Sequence, residues 1–205
     1  MAREHGPRLK KCRAVGIILP GLTTTATLDR PYPPGEHGAH RRGKASDYKV
    51  RLVEKQKMRW HYGLLEAQFR RTVRKASTMR GPSGHNLVQL LERRLDNVVW
   101  RLGLAPTIPG ARQLVTHRHV VVNGHRVDRP SFLVSPGDVV AVIEQSRTRP
   151  FIQEALARST TRMRPDYLDF DPAKATGKMV ALPGADHLPF PCNTQAIIEF
   201  YSQML

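Results

Sequence analysis

The fold of this chain is decided by three neighbouring stretches of sequence: LERRLDNVVWRLGLAPT (residues 91–107), ARQLVTHRHVVVNGHRV (residues 111–127) and PSFLVSPGDVV (residues 130–140). Apolar residues recur at helical spacing and predict one long helix over residues 87–102, which Gly103 ends. A shorter helix is predicted from about Pro109 to Thr116. Asn123-Gly124 between runs of valine predicts a β-hairpin, and two further strands are predicted at residues 132–134 and 139–143.

Helical periodicity also occurs before and after these stretches. Ser46 is the predicted N-cap of a helix that reaches Tyr62, and a second helix carries Phe69, Val73 and Ala76 at core spacing. Frequent proline and glycine predict an irregular arm before residue 46. After residue 146 we expect a helix near residues 151–157, an ill-defined stretch to about residue 193 and a short segment that docks at residues 196–201.

The charge of the chain indicates a polyanionic partner. Lysine and arginine number 33 against 17 acidic residues, which gives a formal net charge of +16. Residues 1–80 hold most of it, with 19 basic and six acidic side chains. The sequence contains neither an amphipathic membrane helix nor an apolar run of about 20 residues, so no membrane partner is expected. Two cysteines, Cys12 and Cys192, fit a reducing, cytoplasmic compartment.

The motifs within residues 91–142 resemble the RNA-binding domain typical of protein four of the small ribosomal subunit. The resemblance rests on RLDNVV (residues 94–99), ARQLV (residues 111–115) and VNG (residues 122–124), in that order and spacing. Upstream, RPYPPGEHG (residues 30–38), SDY (residues 46–48), EKQK (residues 54–57) and QFR (residues 68–70) resemble the same family. So does IIEFYS (residues 197–202) near the end.

The resemblance implies an α+β fold. A mostly helical N-terminal body with an irregular basic arm would carry a small RNA-binding module of two helices packed on a short twisted antiparallel sheet. The predicted limits are residues 1–45 for the arm, 46–93 for the body, completed by 160–205, and 94–159 for the module. Many family members hold zinc with four cysteines in the arm, whereas here only Cys12 lies there, so the chain resembles the zinc-free branch and we expect neither metal nor cofactor.

In function, the resemblance implies a structural, non-enzymatic component of the small ribosomal subunit. Such a protein would bind 16S rRNA directly and early in assembly. It would lie at the mRNA entrance beside small-subunit proteins three and five, and would influence decoding accuracy. The expected partners are therefore 16S rRNA, those two proteins and mRNA near the entry channel, in the cytoplasm.

Candidate RNA-binding residues are cations, hydrogen-bonding side chains and one aromatic ring, because guanidinium groups grip phosphate and stack on bases. In the module, Arg94 and Arg101 beside Arg112 are predicted to line a concave positive surface, with Asp96 as the ion-pair partner that orients arginines. The full candidate set is Arg3, Arg8, Lys10, Lys11, Arg13, Arg30, Arg41, Arg42, Lys44, Tyr48, Arg51, Lys55, Lys57, Arg59, Arg70, Arg71, Arg94, Asn97, Arg101, Arg112, Gln113, His117, Arg118, His119, Asn123 and Arg126.

Two other readings of the sequence remain open. The module also resembles an appendage of RNA-modifying enzymes and of a stress-related RNA-binding protein, although common catalytic motifs such as GxxxxGK[ST] and GxSxG do not occur. Alternatively, two helices joined by a short glycine-containing turn at residues 87–116 are compatible with a helix-turn-helix DNA regulator.

Overall fold

The structure is a computed structural model that describes residues 4, 6–39, 45–159 and 164–202. Contacts between residues divide the chain into two compact units. The first comprises Met1–Leu87 with Leu188–Leu205, and the second comprises Val88–His187. Each unit has buried apolar residues of its own.

The first unit is helical. Its helices are α1 (Arg8–Val15), α2 (Asp47–His61), α3 (Glu66–Thr78), the start of α4 (Ser83–Glu92) and α9 (Thr194–Ser202). The Ser46 side chain accepts a hydrogen bond from the Lys49 backbone N–H and caps α2, as predicted. Helix α9 packs against α2 and α3, so the end of the chain completes this helical unit. Gly84 allows a close approach, because a Cβ there would lie 2.5 Å from Thr194 Oγ1.

The prediction of an arm without regular structure is wrong at α1. This helix ends at Gly16, which adopts a φ of 76° that glycine tolerates without steric cost. Its Cys12 and Val15 are buried in an apolar cluster with Leu19, Leu22 and Phe190. Burial against residues from the other end of the chain favours the helix, and this is a tertiary effect that local proline and glycine content does not report. Among the described residues 16–39 there is no helix or strand.

The second unit is α+β, which confirms the predicted fold class. It contains α5 (Leu95–Arg101), α6 (Ile108–Thr116), β1 (Val120–Val122), β2 (His125–Arg126), β3 (Val139–Val142), α7 (Glu144–Arg147), α8 (Pro150–Ser159), β4 (Leu168–Asp171), β5 (Thr176–Met179) and a 3-10 turn at Ala185–His187. The strands form one antiparallel sheet in the order β2-β1-β3-β5-β4. Asn123 and Gly124 have φ values of 50° and 82°, so the predicted hairpin is confirmed.

The single helix predicted over residues 87–102 is in fact two helices, α4 and α5. The chain is extended at Arg94, with φ −64° and ψ 137°. There the segment 130–134 pairs with the opened backbone: Leu95 N–H donates to Phe132 O at 2.8 Å and Val134 N–H donates to Arg93 O at 2.8 Å. These hydrogen bonds compensate for the broken helix, and the apolar spacing continues across the break and conceals it.

The remaining differences concern strands. Residues 132–134 form no strand, and only an isolated bridge joins Leu133 to Arg94. Conversely, the stretch regarded as ill-defined contains β4 and β5, which extend the module's sheet through the pairing of β3 with β5. Gly177 on β5 lies against α5, where a Cβ would come within 2.3 Å of the Leu102 side chain. Glycine there permits the close packing of helix on sheet.

None of the helices in the described part of the chain is long and apolar enough to cross a membrane.

Candidate nucleic-acid interface

Helix α3 presents a row of exposed cations in the first unit. Its buried residues Phe69, Val73 and Ala76 turn one side towards the core, so the positions between them face outward. Within the described part of the chain, none of these outward cations has an acidic partner at ion-pair distance. We call this row the α3 stripe; it consists of Arg70, Arg71, Arg74 and Lys75, and Arg80 is exposed just beyond the helix.

The cations predicted on α2 are instead engaged with acids. Arg51 lies 3.2 Å from Glu199, and Lys57 pairs with Glu54. Arg59 lies 3.6 Å from both Glu4 and Glu66. The pairs with Glu199, Glu4 and Glu66 join α2 to neighbouring segments, whereas the Lys57–Glu54 pair lies within the helix. All of them offset part of the positive charge of α2.

Lys55, a predicted RNA contact, makes its interactions within the protein. The side chain is buried, its Nζ lies 3.0 Å from Glu66 and it also lies over the ring of Phe200 at 4.8 Å. The Tyr201 hydroxyl donates to the same Glu66 carboxylate at 2.6 Å. Burial opposes ionisation of Glu66, but the hydrogen bonds from Tyr201 and Lys55 outweigh it and lower its pKa.

In the arm, the predicted cations divide into exposed and engaged side chains. Arg8, Lys10 and Arg30 are exposed. Lys11 pairs with Glu4 at 2.9 Å, and Arg13 donates to the carbonyl oxygen of Tyr32 and lies 5.0 Å from the centre of its ring. Arg3, Arg41, Arg42 and Lys44 lie outside the described residues.

Tyr48, another candidate, lies at the start of α2. The side chain is 54% exposed, and its ring lies 5.6 Å from that of Phe200 on α9. The outer ring face is therefore open to a partner.

Two predicted RNA contacts in the module lie inside the protein. Arg94 forms a two-pronged ion pair with the fully buried Asp96, at 2.8 and 3.1 Å, and Arg112 lies 3.5 Å from the same carboxylate. The predicted pairing of Asp96 with arginine is thus confirmed. Burial lowers the pKa of Arg112, the charge of Asp96 opposes that change, and Arg94 adds to it.

A second buried carboxylate engages two further candidates. Glu92 is fully buried; Arg101 Nε lies 2.9 Å and Asn97 Nδ2 2.8 Å from its Oε2. Arg101 also donates to the carbonyl oxygen of His187. The concave surface predicted from Arg94, Arg101 and Arg112 is therefore an internal network that joins α4, α5 and α6.

The exposed polar face of the module begins at the end of α6. Arg118 N–H donates to Val115 O and His119 N–H to Leu114 O, a Schellman motif that terminates the helix. Arg118 occupies its left-handed position with a φ of 61°, where glycine is usual. Its side chain is 68% exposed and lies 3.2 Å from Asp128.

The same face continues into the hairpin and into a cavity. Arg126 and Arg129 are exposed, whereas Asn123 uses its side chain to bind Asp138 and the Val139 N–H, each at 2.8 Å. Three further candidates, Gln113, His117 and His119, line one cavity together.

Some residues suited to RNA binding were absent from the sequence-based set. Arg74 and Lys75 could have been found, because they lie off the core spacing of the predicted helix. Arg149 could not: only the fold brings it beside His117 and His119. The exposed cations that the sequence-based candidates omit include Arg74, Lys75, Arg80, Arg129 and Arg149.

The exposed groups of this arrangement are suited to binding a nucleic acid. Over residues 4, 6–39, 45–159 and 164–202, no group of three or more His, Cys, Asp or Glu side chains is placed to hold a metal ion. The exposed groups are mainly guanidinium, ammonium, imidazole and amide groups, which bind phosphates, ribose and base edges.

Comparison with known proteins gives consistent matches along the whole chain. Residues 3–92 match the family described as ribosomal protein S4/S9 N-terminal domain, and residues 93–140 match the S4 domain. The chain is 50% identical to small ribosomal subunit protein uS4 of Geobacillus stearothermophilus, over 99% of this chain and 100% of that protein. It is 48% identical to the protein of the same name from Methylobacillus flagellatus, over 100% of both chains. A protein named uS4B from Nitrosomonas europaea is 45% identical over 100% of both.

Proposed function

The chain belongs to the family of small ribosomal subunit protein uS4, and we propose that in that subunit it binds 16S rRNA through its exposed cations. It is a structural protein of the cytoplasmic ribosome rather than an enzyme. The proposed contacts are the α3 stripe and the exposed candidates of the arm and module.

The observation that carries this proposal is the contrast between α2 and α3. Both helices are rich in cations, but the four candidate cations of α2, residues 51, 55, 57 and 59, have acidic partners, as Arg51 does in Glu199. The α3 stripe has none among the described residues. A cation that already has an acidic partner gains less from a phosphate than one that has only water around it. The α3 stripe is therefore the part of the first unit best suited to RNA.

The finer aspects of the function follow from the family resemblance. We propose that the chain binds 16S rRNA early, so that it nucleates assembly, and that it contributes to the mRNA entrance beside small-subunit proteins three and five. Through that position it would influence decoding accuracy. The large excess of basic residues supports early binding, because steering by charge increases the rate of encounter with RNA.

The two alternative interpretations, an RNA-modifying or stress-related RNA-binding protein and a helix-turn-helix DNA regulator, have less support. The relatives that match over their full length carry the name of a small-subunit protein. A helix-turn-helix DNA reader needs an exposed recognition helix, but α6 buries Ile108, Ala111, Arg112, Leu114 and Val115.

The proposal is tested by competition binding. Labelled 16S rRNA is bound to the full chain and challenged with unlabelled 16S rRNA or with duplex DNA carrying the same number of phosphates. We expect 16S rRNA to compete at least 100-fold better, on the scale that separates specific from non-specific sites. Equal competition would contradict the proposal.

A pair of variants with the same net charge locates the interface. Arg71→Gln with Arg74→Gln removes two cations of the α3 stripe, and Arg51→Gln with Lys57→Gln removes two that have acidic partners. The first pair should weaken 16S rRNA binding and reduce the slope of log affinity against log salt by about two. The second should have a clearly smaller effect. Equal effects would indicate that only net charge matters.

A further inference from the structure

A cavity of about 330 Å³ opens on the surface of the module. Its walls come from the loop between α5 and α6, from α6 itself and from the start of α8. Leu104 and Leu114 supply a buried apolar base, and Gln113, His117, Arg149 and Phe151 are exposed around it. A volume of this size is at the low end for small-ligand sites and suits one flat ring system.

The cavity offers an aromatic surface. Phe151 is 45% exposed, and its ring lies 6.1 Å from that of His119 in an edge-on arrangement. His119 is held in place, because its Nδ1 lies 2.8 Å from Ser146 Oγ. Phe151 thus stays accessible to solvent despite its contact with the neighbouring ring. Exposed aromatic rings of this kind stack on unpaired bases.

The polar groups of the cavity match a nucleotide. In the described part of the chain, the side chains of Gln113 and Arg149 have no hydrogen-bond or ion-pair partner, and the lining contains no acidic residue. Burial lowers the pKa of His119, and the nearby Arg149 and His117 lower it further. The Arg149 guanidinium gives the lining a positive charge, and no lining residue is acidic, which favours a phosphate over a cation.

We propose that this cavity binds one unstacked base of 16S rRNA. Phe151 stacks on the base, the Gln113 amide hydrogen-bonds its edge, and Arg149 contacts the adjoining phosphate. The inference rests on the proposed function, and it adds a specific single-nucleotide site to the broad electrostatic surface.

The test uses the full chain and intact 16S rRNA, with thermal melts to verify folding. Phe151→Leu should weaken binding roughly 5- to 100-fold, the range for loss of one stacked base, and should leave the salt slope unchanged because no charge is lost. Phe151→Trp should bind within about threefold of the original, because it preserves stacking. Phe132→Leu is the matched control: Phe132 is 38% exposed in the same unit but does not line the cavity.

Chemical probing identifies the occupant. Dimethyl sulfate modifies unpaired adenine and cytosine, so an A or C in the cavity should be protected by the original chain and become reactive with Phe151→Leu and with Gln113→Ala. For a G or U, which this reagent does not probe at the base-pairing edge, a carbodiimide reagent gives the same readout. If neither variant changes affinity or the reactivity of any unpaired base, the cavity does not hold a base. The proposed function would survive that result, because it depends on binding of 16S rRNA by the original chain.

Discussion

The hydroxyl of Tyr167 donates a 2.7 Å hydrogen bond to the buried carboxylate of Glu92, 75 residues earlier in the chain. Tyr167 directly precedes β4, and Glu92 ends α4. The contact therefore joins the late β4–β5 hairpin to the helices of the module. Burial raises the pKa of Tyr167, and the negative charge of Glu92 raises it further, so the hydroxyl keeps its proton.

Loss of this carboxylate should destabilise the module. Glu92→Ala leaves Arg101 and Asn97 without their shared acceptor, and we expect the free energy of unfolding to fall by roughly 3–5 kcal/mol. Tyr167→Phe removes only one hydrogen bond to a charged group and should cost about 1.5–3 kcal/mol. Urea denaturation measures both. Asp169→Asn, at an exposed site on β4, should stay within about 0.5 kcal/mol; a similar cost at all three positions would contradict the role of Glu92.

Arg94 should behave as a structural residue rather than as an RNA contact. Arg94→Ala leaves Asp96 buried with only the 3.5 Å contact to Arg112, and the expected loss is roughly 3 kcal/mol of unfolding free energy. Arg126→Ala, on the exposed hairpin, should instead leave stability within about 0.5 kcal/mol and weaken RNA binding. Melting curves and filter binding on both variants check this. An Arg94→Ala chain that is as stable as the original but binds RNA poorly would contradict this prediction, because it would indicate that Arg94 contacts RNA.

Arg118 should show a conflict between stability and binding. A side chain at φ 61° is strained, and Arg118→Gly removes that strain at the end of α6. We expect stability to be unchanged or to rise by up to about 1 kcal/mol, after the entropy cost of glycine and the loss of an exposed ion pair. RNA affinity should fall.

The matched variant for this position is Arg118→Ala, which removes the same charge but retains the Cβ and its strain. It should bind RNA as weakly as the glycine variant without its gain in stability. If the glycine variant is less stable than the alanine variant, the strain is absent.

Glu66 should make the first unit sensitive to acid. Its pKa is below the ordinary value of 4.5 because the hydrogen bonds from Tyr201 and Lys55 outweigh burial. The unfolded chain therefore binds a proton at higher pH than the folded chain, and the stabilisation present above about pH 4.5 is lost as pH falls through the folded pKa. Glu66→Gln should be less stable than the original at about pH 6, and the difference should shrink by about pH 3.

Tyr201→Phe, which removes the Tyr201 hydrogen bond to Glu66 and keeps those from Lys55, should show a smaller dependence on pH than the original chain. Denaturant titrations at several pH values measure this. A difference between the original and Glu66→Gln that is constant with pH would contradict the lowered pKa.

Local patterns were sufficient to predict the amphipathic helix α3, the Ser46 cap and the Asn123-Gly124 hairpin, because periodicity and turn chemistry are properties of neighbouring residues. They did not predict the break at Arg94, which depends on hydrogen bonds from residues 130–134. Nor did they predict the β4–β5 hairpin, whose Gly177 is required by packing against Leu102.

The candidate site, like the fold, was predicted from the sequence only where it does not depend on distant residues. A sequence identifies an arginine as a cation but does not tell whether a distant acid neutralises it. Arg51 has Glu199, 148 residues away, whereas Arg71 has no acidic partner among the described residues. For that reason the sequence placed the α2 cations in the same candidate set as Arg70 and Arg71, although of these cations only those of α2 have acidic partners among the described residues.

We propose that many exposed cations bind 16S rRNA phosphates together. The affinity of the full chain for 16S rRNA, measured at a series of salt concentrations, tests this proposal. With roughly ten phosphates neutralised, log affinity should fall with log salt at a slope between about −7 and −9. A slope near −2 would contradict the account, because it corresponds to only two or three phosphate contacts.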